Sequence, residues 1–153
     1  MEFLRQKYPP SEPCGCETCR SFCKRPGWWT VEQADLAVKN RLSGRMMLEI
    51  SPELTFGVIS PAFYGNERKI AQNRYAGNGC NFLKKGLCEL HGTAYMPLEC
   101  SYCHHSRAGT GLQCHSDIEE AWNSIPGQRL VRRWCNIVES REGLEILNLV
   151  QKK

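Results

Sequence analysis

A chain of 153 residues, 41% hydrophobic and 24% charged, has the size and balance of one globular domain. Its apolar runs are too short for a membrane helix, which takes about 20 such residues. Twenty Lys and Arg against sixteen Asp and Glu leave a formal charge of +4 with every thiol neutral. A four-thiolate zinc site carries about −2, so this mild basicity is poor support for a nucleic-acid partner.

The first ten residues lack the apolar stretch and small-residue cleavage site of a secretory signal. The expected location is therefore the cytoplasm, where clustered thiols are metal ligands or redox groups rather than disulfides. Residues 1–12 are expected to form an extended lead-in, because Pro9, Pro10 and Pro13 fix φ and bias each preceding residue away from helix. They deliver the chain to Cys14, Cys16, Cys19 and Cys23. A helix through the second half of this block would put Cys16, Cys19 and Cys23, at i, i+3 and i+7, on one face. Pro26-Gly27 then breaks the element, and Trp28 and Trp29 supply apolar surface beside the thiols.

Residues 30–42 read as a packing helix. Thr30 and Gln33 have capping-box spacing, the apolar side holds Val31, Ala34, Leu36, Ala37, Val38 and Leu42, and Gly44 suits the stop. Met46–Ile50 and residues 55–60 read as a short hairpin, and 65–79 as an irregular loop returning towards the first thiol block. Cys80 and Cys88 flank a Lys-Gly turn, and a longer step through His91 and Pro97 reaches Cys100, Cys103, His104 and His105. Residues 109–111 are expected to form a flexible bend before Cys114 and His115. Asp117 is expected to cap a short helix ending at Trp122. Pro126 opens another helix to about Val138, burying Leu130, Val131, Trp134, Ile137 and Val138. Cys135 lies among these apolar residues at helical spacing and is assigned to the core. Residues 144–150 fit a strand or a terminal helix equally well. The fold expected is one small, monomeric α+β domain over residues 1–153, mainly helical, with a short hairpin and irregular, metal-tied loops.

Soft thiolates select zinc, copper(I) and iron, whereas magnesium and calcium prefer oxygen. The two-residue gaps at Cys16/Cys19 and Cys100/Cys103 let backbone turns aim two sulfurs at one ion, with the other half of the site coming from elsewhere in the chain. A ferredoxin run, C-x₂-C-x₂-C-x₃-C-P, is approached but not matched, because only Gly15 separates Cys14 from Cys16 and Lys24-Arg25 precede Pro26. No Gly-rich nucleotide loop, paired-carboxylate motif or nucleophile elbow is present.

Cys16, Cys19 and Cys23, then Cys80-Asn81-Phe82-Leu83, Cys88-Glu89-Leu90-His91 and Pro97-Leu98-Glu99-Cys100 follow in the order of a known pattern. From Pro13 to Cys103 the chain resembles the bacterial zinc- or iron-chelating cysteine-cluster proteins, the YkgJ-like family, to which flagellin lysine N-methylases are related. Phe22 stands where that family has the first cysteine of a doublet, Met96 replaces an arginine, and Ser101 replaces another. Spacing and resemblance together make Cys16, Cys19, Cys23, Cys80, Cys88 and Cys100 the principal ligand set. Cys14, Cys103, Cys114 and His104 are the further candidates. For His91, His105 and His115 the sequence leaves two readings equally open, a zinc ligand or a ring that is solvated or satisfied by the backbone.

The expected function is metal binding, with one or two zinc or iron centres, an iron–sulfur cluster among the options. The resemblance to the methylase branch implies an alternative, a metal- or iron–sulfur-dependent enzyme acting on protein side chains. Nucleic-acid binding has only Arg132-Arg133, Lys84-Lys85 and Lys152-Lys153 behind it, and such charges usually form solvated faces.

Overall fold

The computed structural model describes residues 2–12, 16–17, 26–85, 87–102 and 104–151. Cys14, Cys19, Cys23 and Cys103, and the helix expected through the first thiol block, lie outside these residues.

The lead-in is not extended throughout. Glu2–Lys7 forms helix α1, because nothing in it breaks a helix and its turn buries Leu4 and delivers Tyr8 to the interior. Pro9, which disfavours helix in the residue before it, follows directly. The Tyr8 hydroxyl donates to Asp117 Oδ2 at 2.5 Å and Lys7 Nζ donates to the same atom at 2.8 Å. The Tyr8 ring meets that of Tyr102 edge-on, with centroids 5.1 Å apart.

Helix α2, Val31–Lys39, starts at the expected capping box: Gln33 N donates to Thr30 Oγ1 and Thr30 N donates to Gln33 Oε1, both at 3.1 Å. It ends short of Leu42, where Arg41 takes φ +66. Leu36, assigned to its apolar side, is 37% exposed.

Strands β1, Met46–Ile50, and β2, Gly57–Pro61, pair antiparallel with Leu48 opposite Ile59. Ser51 Oγ closes their turn by accepting from the backbone of Thr55 and Phe56. The hairpin lacks clean alternation for a physical reason: β2 is buried throughout and packs beneath a helix. The loop after it runs along the outer edge of β1, where Leu48 N donates to Lys69 O and Ala71 N to Leu48 O.

After β3, Leu83–Lys84, β4, Leu87–Cys88, and the short helix α3, Leu98–Tyr102, the chain enters its helical half. Helix α4 spans Ala108–Trp122, so residues 109–111 belong to its first turn instead of a bend, and Asp117 lies inside it instead of capping it. Each glycine costs a helix about 1 kcal/mol relative to alanine. Cys114, Ile118 and Trp122, one turn apart and all fully buried, offset that cost by giving the helix a core-facing stripe.

Ser124 caps α5, Ile125–Ile137, through Gly127 N, with proline in the first turn as expected. Ser140 caps α6, Arg141–Val150, through Gly143 N, which resolves the open choice in favour of helix. Ile137, expected to be buried, is 49% exposed, whereas Val138 is buried as expected.

The hairpin, α2, α5 and α6 enclose one core around Trp29, Trp122 and Trp134. Every one of these indoles has a partner, as buried indoles require. Trp29 Nε1 donates to Tyr95 O, Trp122 Nε1 to Trp29 O and Trp134 Nε1 to Ser43 O, at 2.6 to 2.9 Å. The molecule is a small α+β domain, about half helical. No helix among the described residues is long and apolar enough to cross a membrane.

Candidate metal centre

The second thiol segment hangs from the hairpin. Gly79, at φ 83 and ψ 174, adopts a conformation essentially reserved for glycine and turns the chain into Cys80. There Cys80 bridges Phe63, Asn81 N donates to Ala62 O at 2.7 Å, and Tyr64 Oη donates to Leu83 O at 3.0 Å. Leu83 then pairs with Cys88 across the two-residue strands β3 and β4. Phe82 is wholly buried, edge-on to Trp29.

The third segment hangs from α2. Gln33, besides capping that helix, accepts from Leu98 N at 2.9 Å and donates to Met96 O at 2.9 Å. One amide thereby fixes the start of the helix that carries Cys100.

The flanks of the first thiol block are fastened to that same helix. On the near side, Ser11 N donates to Ser101 O at 2.8 Å. On the far side, Trp28 N donates to Glu99 Oε1 at 3.0 Å and Glu99 N donates to Trp28 O at 3.3 Å. Gly27 lies so close that a Cβ there would run into Cys100 Sγ and stand 3.0 Å from the Cys100 nitrogen.

Between these segments opens a cleft of about 1360 Å³. Cys80, Cys88, Cys100 and Cys114 line it, as do His91, His104 and His115, and so do Glu12 and Pro26 from the two sides of the first block. Five candidate ligands, four thiols and the His104 imidazole, are thus brought to one cavity by three stretches of sequence. Cys16 is exposed and is not part of the cleft wall. Cys135 is fully buried, and its thiol, pushed up to about 11 by burial, belongs to the core as expected. Burial also raises the Cys88 thiol above its usual value, against the backbone hydrogen bonds from Leu90 and His91. Among the described residues no three Cys, His, Asp or Glu side chains form a group that could hold a metal ion. The six-thiol set includes Cys19 and Cys23, which lie outside them.

Sequence reasoning passed over a polar cluster on the cleft wall. His115, for which the sequence leaves ligand and solvated roles open, pairs with a carboxylate: its Nδ1 lies 2.7 Å from Glu99 Oε2, while Nε2 is 3.8 Å from Glu119 Oε2. Its ring lies against Trp28 at 4.2 Å, and Trp28 Nε1 donates to Glu49 Oε2 at 2.5 Å. The Glu99 hydrogen bond raises the His115 pKa against the opposing effect of burial, with further help from the charges of Glu99, Glu119 and Glu49. Burial raises the Glu49 pKa, and hydrogen bonds from Ser60 and Trp28 only partly oppose it. A carboxylate inside the apolar run of β1 was the one available signal for Glu49. Together these groups can donate and accept protons beside the thiols.

Fold and site together define a small α+β domain with a cleft walled by thiols and imidazoles. No family model, curated protein or solved structure matches the chain.

Proposed function

We propose that the protein binds zinc or iron through cysteine thiolates drawn from the first thiol block and from the segments carrying Cys80, Cys88 and Cys100. Cys14, Cys103, Cys114 and His104 are the further ligands from which a second centre would be built. One observation carries this proposal: both flanks of the first block are tied to α3 at Cys100, on a cleft that Cys80 and Cys88 also line. A reducing, cytoplasmic location keeps such thiols available for metal, and the chain acts as a monomer with metal ions as its partners.

Purification without oxygen followed by elemental analysis tests this. Stoichiometric zinc in a colourless protein, or iron with visible absorption that bleaches on reduction, supports it. Cys19→Ser and Cys88→Ser lower metal content, whereas Cys135→Ser leaves it intact. Equal content in all three variants overturns the assignment.

The His115, Glu99 and Glu49 cluster favours a second function, a metal- or iron–sulfur-dependent enzyme acting on protein side chains. Such an enzyme keeps a coordination position open to solvent. Added azide would then shift the visible spectrum of the cobalt-substituted protein, and a closed structural site would show no shift.

A further inference from the structure

Arg45, immediately before β1, reaches both ends of the second thiol segment with one guanidinium. Its Nε donates to Asn81 Oδ1, and its Nη2 donates to Asn81 O at 3.0 Å and to Glu89 Oε2. Asn81 follows Cys80 directly and Glu89 follows Cys88. The guanidinium lies over the Phe82 ring, 4.1 Å from its centroid, so its plane is fixed as well as its charge. The acceptors are held in turn, since Asn81 Nδ2 donates to Glu67 Oε2 at 2.6 Å and Lys84 Nζ lies 3.1 Å from Glu89 Oε1. The Arg45 backbone is itself anchored, its carbonyl accepting from Ala62 N at 3.0 Å.

We infer that Arg45 is a positioning residue of the proposed metal centre, its guanidinium bridging the residues after Cys80 and Cys88 and so fixing the separation of the two thiols. This rests on the metal-centre assignment above and adds what presents its second half. A planar, charged fork holds two acceptors at a set spacing, which a flexible ammonium does not. Groups that orient ligands from outside the coordination sphere govern metal affinity nearly as strongly as the ligands do.

The test is titration of the reduced, full-length protein with cobalt(II), followed by competition with zinc. Arg45→Ala is expected to lower affinity about 10–100-fold and to weaken thiolate-to-cobalt absorption per bound ion. Arg45→Lys, which retains the charge facing Glu89 but not the fork, is expected to fall between. Arg132→Ala is the control for a purely structural loss: that guanidinium grips Gln151 through two nitrogens, and neither residue lines the cleft. It is expected to bind cobalt as the wild type does. Should Arg45→Ala fail to fold, Asn81→Ala removes the side-chain acceptor of Arg45 Nε together with the bond to Glu67, leaves the Asn81 carbonyl and Glu89 to Nη2, and is expected to lower affinity in the same direction. Wild-type affinity and absorption in Arg45→Ala, or an equal loss in Arg132→Ala, overturn the inference. A wild-type protein that takes up no cobalt refutes the metal centre itself and this inference with it, and the wild-type titration separates the two failures.

Discussion

At the scale of single residues, the two extremes of the cysteine set make opposite demands. Gly27 leaves Cys100 no neighbouring Cβ to accommodate. Gly27→Ala forces the sulfur or the backbone of α3 to move, an overpacking that costs about 1–3 kcal/mol. The expected outcome is a lower urea midpoint together with metal loss, read by equilibrium unfolding and elemental analysis. Cys135 has no part in the cleft and shows itself through pH. Its folded-state pKa of about 11 lies above the ordinary 9.0, so the folded protein holds this proton more tightly than the unfolded chain. The resulting stability is fully present below pH 9 and is lost as pH rises towards 11. Linkage puts the loss at about 2 kcal/mol by pH 11. Urea unfolding of wild type and Cys135→Ala at pH 8 and pH 11 should show the difference between them narrowing by about that amount. A constant difference would remove the buried thiol from the account.

At the scale of elements, α1 is held by a few polar bonds and two side chains, and that makes it separable. Lys7 and then Tyr8 hold the Asp117 carboxyl below its usual range. The contact therefore contributes stability above the ordinary carboxylate pKa and loses it as pH falls through the lowered one. Asp117→Ala is expected to speed amide exchange across residues 2–8 while leaving α4 protected, since alanine favours helix. Unchanged exchange there would mean that Leu4 and Tyr8 hold α1 without help. Four elements, α2, β1, β2 and α5, could be read from local chemistry. Thr30 with Gln33 announced α2, Pro126 announced α5, and both helices start within a residue of the expected position. The failures are instances of tertiary contact overriding local preference. Two glycines in α4 signalled a bend, yet Cys114, Ile118 and Trp122 bury a stripe that keeps the segment helical. Spacing and the family resemblance together pointed to Cys80, Cys88 and Cys100, and these three line one cleft. Glu49, Glu99 and His115 lie on three separate elements, so no local pattern in the sequence joined them.

At the scale of the whole molecule, the thiol cleft borders the main core and shares Cys80 and Cys114 with it. Closed metal sites fold small domains that have little regular structure of their own, but this chain buries three tryptophans, the β1–β2 hairpin and two capped helices in a core made mostly of aromatic and aliphatic side chains, to which Cys80 and Cys114 of the cleft wall also belong. A metal ion bound as proposed would add stability through its preference for the native state, and the tryptophan core is expected to persist without it. Chelation under reducing conditions is expected to lower the melting temperature yet leave amide protection in β1, β2, α5 and α6. Protection should be lost across residues 80–102, where two-residue strands and a five-residue helix depend on side-chain clamps. Hydrogen exchange of the chelated protein, followed by mass spectrometry, decides this. Loss of protection throughout the chain would show that the metal organises the entire fold, and protection retained everywhere would show that the cleft segments hold their shape without an ion.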